Sequence, residues 1–257
     1  MTENKDNILV WLPSPMGDAI LCTPALRAIR KKFISAYITF FSSKVVREVL
    51  SPSGFTDSWL EQDGKGLFAT AKMLRSRGFT RVILFKNSFG SALTSLLARV
   101  PVRIGYSREG RGFLLTERLN PPMGPSGDYK PVSMVDYYLA VASRLKADVS
   151  DRSIELSYEP KDSEAVRVKL PIVFNRQGPL VILVPGAAAG TSKRWPAKRF
   201  AELAEWLIEN YNATVLLSVA PNPDEKQIAG QIVEAVPHQL LNLGDTPVSL
   251  GELKSLY

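Results

Sequence analysis

Short continuous apolar runs alternate along the chain with stretches whose apolar residues recur at helical spacing. Ile8-Leu9-Val10-Trp11-Leu12 is the first such run, the pattern of a strand buried on both faces. Cys22, Ala25, Leu26, Ile29 and Phe33 then share one helical face, opposite Arg27, Arg30 and Lys31. Further strands are predicted over 36–41, 81–85 and 102–105, with helices near 66–77 and 91–98. Residues 108–130 are rich in Gly, Pro and Arg and read as a long surface loop. A helix over 133–145 and a polar stretch over 146–178 follow.

The alternation restarts at Leu180-Val-Ile-Leu-Val184. Phe200, Leu203, Ala204, Leu207 and Ile208 mark an amphipathic helix, and 214–218 and 240–243 read as strands flanking a helix over 223–235. The segment 249–257 opens a further helix. Repeated strand–helix alternation predicts parallel α/β sheets. A boundary near residue 170 divides the chain into 1–170, with about five strands, a usual sheet size, and 171–257, with three strands and an incomplete look.

Composition narrows the chemistry. The 257 residues are 45% hydrophobic and 22% charged, an ordinary globular balance. No apolar run approaches the roughly 20 residues of a membrane-spanning helix, and the polar start, 1–7, is unlike a signal peptide; a cytoplasmic protein is expected. A single cysteine, Cys22, excludes an internal disulfide and a multi-thiolate zinc site, and a single histidine, His238, excludes a two-histidine site. Acid–base work therefore falls to a carboxylate or a lysine. The net charge of +7 favours anionic ligands or simply solubility. No helix-turn-helix, zinc spacing or aromatic RNA-binding motif points to nucleic acid.

Two glycine-containing turns stand out, one after the first strand of each half. In the first, Gly17 permits close backbone approach by a ligand, and Asp18 lies at or near a helix N-terminus. Asp18 has a plain reading as a cap or dipole partner, and Thr23-Pro24 offers a competing helix start that leaves Asp18 in the loop. The second turn runs from Gly186 through Gly190, Thr191, Ser192 and Lys193 to Pro196. Amides, hydroxyls and a lysine ahead of a helix make an anion cradle, although the P-loop spacing is absent. In open α/β sheets ligands sit beyond the carboxyl ends of the strands. Asn87 and Ser88 end a strand, as ligand contacts or turn residues; Arg103, Arg108 and Arg111 border the long loop, as anion contacts or solvated surface. Trp11, Trp59, Trp195 and Trp206 read mainly as core, as does Cys22.

In order along the chain, Gly17-Asp18-Ala-Ile-Leu, Thr23-Pro24-Ala-Leu-Arg27, Phe85-Lys-Asn-Ser88, Pro101-Val-Arg-Ile-Gly105, Arg111-Gly-Phe-Leu-Leu115 and Lys193-Arg-Trp-Pro196 resemble glycosyltransferase family 9. These are the ADP-heptose:lipopolysaccharide heptosyltransferases, and the likeness is greatest to the heptosyltransferase II branch. Ile34 departs from the proline common there. The resemblance implies a GT-B fold, two Rossmann-like lobes facing across a cleft. It makes the first lobe the acceptor lobe and the second the ADP-sugar lobe. It implies an inverting, metal-independent transfer of heptose from ADP-heptose to the lipopolysaccharide inner core, with Asp18 as general base. Lys193 and the amides and hydroxyls of 186–192 would hold the diphosphate. Glu225 would meet a ribose hydroxyl, and Gly17, Asn87, Ser88, Arg103, Arg108 and Arg111 the acceptor. No cofactor is implied, and peripheral contact with the cytoplasmic face of the inner membrane is. The family's further Asp-x-Gly-x-x-His segment is not among the 257 residues, so the second lobe is expected to be truncated. The alternatives are a non-catalytic remnant that keeps one binding lobe, or a transferase or epimerase for another nucleotide sugar.

Overall fold

A computed structural model describes residues 6–187 and 193–257. They form two compact units, the first ending at Ser157 and the second starting at Tyr158.

The first unit holds a six-stranded, all-parallel sheet. Its strands are β1 (Asn7–Trp11), β2 (Tyr37–Ser42), β3 (Ser58–Glu61), β4 (Arg81–Leu84), β5 (Val102–Tyr106) and β6 (Glu117–Leu119). Their order is β3-β2-β1-β4-β5-β6, so the chain winds outward one way from β1 and then returns to wind the other way from β4. The carboxyl ends of β1 and β4 therefore flank a topological switch point, the usual place for a ligand in such sheets. The helices are α1 (Met16–Leu21), α2 (Thr23–Lys32), α3 (Lys44–Leu50), α4 (Leu67–Arg75), α5 (Phe89–Leu97) and α6 (Met134–Arg144). Leu9 and Trp11 pack with Phe41, Leu74, Val82, Leu84 and Ala92 in one core cluster. Ile8, Val10, Ile38, Phe40 and Ile83, alternate residues of the same strands, are also buried. Burial on both faces is the reason these strands read as unbroken apolar runs. Cys22 lies wholly in the core.

The second unit is a parallel three-stranded sheet, β7 (Leu180–Leu183), β8 (Thr214–Leu217) and β9 (Leu241–Asn242), in that order. One face packs on α9 (Ala197–Tyr211) and α10 (Pro223–Ala235) through Ala204, Val215, Leu217 and Ile232. The other face meets α7 (Pro160–Lys169), α8 (Pro171–Asn175) and α11 (Leu250–Lys254). The division falls after Ser157 rather than near residue 170. The polar run after α6 contains α7, whose Val166, together with Leu170 just after it, belongs to the core beneath β8. A helix with so few apolar positions leaves little periodic signal.

Other differences from the sequence reading are small. The first sheet has six strands, β3 and β6 being too short and too exposed to show as apolar runs. Trp195 and Trp206 are about half exposed, at 50% and 48%, rather than core; each instead lies edge-on to a neighbouring ring, Phe200 and Tyr211. No helix among the described residues is long and apolar enough to cross a membrane.

Candidate functional site

At the switch point of the first sheet, β1 runs into α1 with Pro15 at its N-cap. Asp18 sits in the first turn of α1, neither a cap nor a loop residue, because α2 begins separately at Thr23. Its carboxylate makes no hydrogen bond or ion pair with a described residue. Burial raises its pKa above the ordinary 3.8, because desolvation disfavours the ionised form. Gly17 is exposed, with open space where a side chain would stand. The backbone at Asp18 is thus approachable from solvent.

Across the switch point, the ends of β4 and β5 are tied together by Arg111, which is 0% exposed. Its Nε donates to the Tyr106 carbonyl (2.9 Å), Nη1 to the carbonyls of Lys86 (2.5 Å) and Ser88 (3.2 Å), and Nη2 to Asn87 Oδ1 (2.9 Å). Burial lowers its pKa to about 10, still well above neutrality. A guanidinium saturated in this way is a fastener, not an acceptor contact, and that corrects the expectation for Arg111. Arg103 is used similarly, on the carbonyls of Leu114 (2.7 Å) and Val100 (2.6 Å). Asn87 bridges Arg111 to the Tyr137 hydroxyl (2.9 Å), and Ser88 caps α5 through Ser91 N (3.2 Å). Arg108 stacks over Tyr129, its guanidinium carbon 4.0 Å from the ring centre, and stays partly exposed. Unlike the buried Arg111, it is still placed to meet a ligand.

Sequence reasoning passed over Lys86, which follows the buried Phe85 just past β4 and is half-buried. It lines a pocket with Trp11, Gln62, Lys65, Thr70 and Ser88. Its place at a strand end, next to Asn87 and Ser88, is the signal that would have found it.

In the second unit, Gly186 and Glu225 meet at the carboxyl ends of β7 and β8. Glu225 is 8% exposed, accepts from Ala220 N (2.8 Å), and lies so close to Gly186 that a Cβ there would collide with its carboxylate. Asn222 caps α10 by accepting from Glu225 N (2.9 Å). Gly190, Thr191 and Ser192 lie outside the described residues. On either side of them, Arg194 donates to the Ala187 carbonyl (3.0 Å). Lys193 is exposed and pairs with no described carboxylate, just ahead of α9, whose first turn has no acid. A helix N-terminus with free lysine charge is an anion-binding arrangement.

Comparison with known proteins identifies the family and the fold. The model of glycosyltransferase family 9 (heptosyltransferase) matches residues 67–256. Lipopolysaccharide heptosyltransferase 2 of Salmonella typhimurium is 28% identical over 225 residues, 83% of this chain and 63% of the relative. The chain thus spans less than two thirds of that relative's length. Among solved structures, the ADP-heptose heptosyltransferase II of Escherichia coli superposes with a TM-score of 0.77 at 24% identity, covering 97% of this chain and 76% of that one. A family 9 glycosyl transferase from Veillonella parvula gives 0.81 at 21% identity, covering 100% and 73%. The fold is therefore of the GT-B type shared by these proteins, with the second lobe represented here in part.

Proposed function

The chain belongs to glycosyltransferase family 9, and from that premise we propose that it moves heptose from ADP-heptose to the inner core of lipopolysaccharide, with inversion and without a metal. The observation behind this reading is the unpaired, partly desolvated carboxylate of Asp18 at the switch point of the first sheet. A carboxylate with no partner and a raised pKa is the better proton acceptor.

In the proposed step, Asp18 takes the proton from an acceptor hydroxyl as that oxygen bonds to the anomeric carbon of the donor. The bond from that carbon to the diphosphate breaks from the opposite side, and its electron pair leaves on ADP. Negative charge growing on the diphosphate is met by Lys193 and the amides that follow Gly186, with Thr191 and Ser192 as hydroxyl donors. Glu225, fixed against Gly186, receives the ribose. Lysine charge and amides take the place that a metal holds in transferases with a D-x-D pair, which the sequence lacks. Of the acceptor residues expected from sequence, Gly17, Asn87, Ser88 and Arg108 keep that role in the proposal. The acceptor is a membrane glycolipid, so the proposed enzyme works from the cytoplasm at the inner-membrane face.

Calorimetric titration with ADP, with and without EDTA, tests the donor half. Saturable binding that EDTA leaves unchanged is expected. A folded chain that does not bind ADP would instead favour a remnant that keeps only the first lobe's role.

A further inference from the structure

Of the residues lining the pocket at the carboxyl ends of β3 and β4, only Ser88 has a role above. The pocket's volume is about 200 Å³, several times the roughly 30 Å³ share of a water molecule, so it has room for a carboxylate or phosphate group with some of its hydration. Four features give it a positive character. Lys86 is half-buried, has no carboxylate partner among the described residues, and reaches only Gln62 Oε1, at 3.3 Å. Lys65, the other lysine of the lining, is neutralised by Asp63 at 2.5 Å, so the uncompensated charge is that of Lys86. Two helices start at the pocket, α4 at Leu67 and α5 beside Ser88 and Gly90, and neither has an acid in its first turn. Their first-turn amides, apart from Ser91 N, which Ser88 caps, add to the field of the ammonium. Trp11, 4% exposed, lies in the lining with its indole N–H buried and unpartnered, a donor in want of an acceptor.

A half-buried ammonium without a counter-ion is costly unless something supplies one. Burial holds the pKa of Lys86 below its ordinary value, the direction an incoming anion would reverse. The pocket also borders the switch point that Asp18 occupies from the β1 side, since Lys86 N and Phe85 N both donate to the Trp11 carbonyl, at 3.2 and 3.0 Å. An anion seated here would be anchored in the same unit as the proposed base.

We infer that this pocket is an anion subsite in which Lys86, assisted by Gln62 and the start of α5, holds an acidic substituent of the sugar acceptor. The ligand chemistry is a carboxylate or phosphate monoester on a sugar. The role as an acceptor subsite rests on the transfer reading above; the binding of an anion does not. With the acid group fixed, the neighbouring ring would present a limited set of hydroxyls to Asp18, and Lys86 would then determine which acceptors are used.

The test is a titration of the folded chain with inorganic phosphate, with glucuronate and with neutral methyl glucoside, at matched ionic strength. The carbon resonance of Lys86 Cε, assigned by its loss in Lys86→Met, is followed. Saturable movement with phosphate or glucuronate and none with methyl glucoside is expected. Response to phosphate alone assigns a phosphoryl group, and response to glucuronate alone a carboxylate. Lys86→Met should weaken the responding anion at least about tenfold, read by calorimetry, and Gln62→Leu by a few-fold, with circular dichroism unchanged. A Lys86 resonance indifferent to both anions overturns the subsite, as does undiminished binding by Lys86→Met. ADP added to the same sample separates the two ideas. ADP binding without an anion response removes only the subsite, and an anion response without ADP binding removes only the transfer reading.

Discussion

The two units fasten the ends of their sheets with charges of opposite sign. In the first, the buried cation Arg111 gathers the carbonyls of Lys86, Ser88 and Tyr106. In the second, the buried anion Glu225 takes the Ala220 amide and fills the space that Gly186 leaves by having no side chain. Each unit also carries an unpaired charge opposite in sign to its fastener: the carboxylate of Asp18 in the first, the ammonium of Lys193 in the second. A buried charge whose hydrogen bonds are all spent within the protein shapes a site, whereas a charge left without a partner is available to a ligand. Glu225 is an intermediate case, because one carboxylate can still accept from a ribose hydroxyl while holding Ala220.

The largest effect is expected from breaking the first fastener. Arg111→Met leaves several buried carbonyls without donors and should cost about 2–4 kcal/mol of stability, measured by urea denaturation. An Arg111→Met chain as stable as wild type would mean that the carbonyls find other partners. Next comes Gly186→Ala, which forces a Cβ into the Glu225 carboxylate and should cost about 1–3 kcal/mol while weakening ADP in calorimetry. Loss of stability with ADP affinity intact would separate Glu225 from the donor site. Lys193→Ala should leave the melting temperature unchanged and weaken ADP about tenfold; unchanged affinity would remove Lys193 from the diphosphate.

The smallest effect is thermal and concerns Asp18. Burial raises its pKa, so its ionised form is less favourable in the fold than in the unfolded chain. That penalty is complete above the raised pKa and disappears as pH falls below the ordinary 3.8. Asp18→Asn should therefore raise the melting temperature slightly at neutral pH, by about 1–2 °C, and the gain should fade in acid. A drop in melting temperature would give Asp18 a structural partner.

Strands buried on both faces were legible because an unbroken apolar run as short as Ile8–Leu12 suits a strand between two packed layers and little else. The Gly17-Asp18 turn stood out as a candidate site because it follows such a strand. The short edge strands β3 and β6 and the sparse helix α7 were not, since their burial comes from neighbours distant in sequence. The same limit applied to the arginines. Arg103, Arg108 and Arg111 look alike beside a Gly-rich loop, and only the carbonyls brought in from the turn after β4 distinguish the buried Arg111 from the accessible Arg108. Lys86 was hidden for the converse reason: a lone lysine after a strand is ordinary until the fold withholds a carboxylate from it.

Asp18→Asn, assayed with ADP-heptose and a lipopolysaccharide inner-core acceptor beside an ADP titration of the same preparation, tests the central claim most directly. The account predicts kcat lower by a factor of about 10² to 10⁴, with ADP affinity near wild type. It also predicts that the acid limb of the wild-type pH profile of kcat/KM lies above the usual carboxylate range. Turnover that survives Asp18→Asn, or a wild-type acid limb at an ordinary carboxylate pKa, would contradict the assignment of Asp18 as the base.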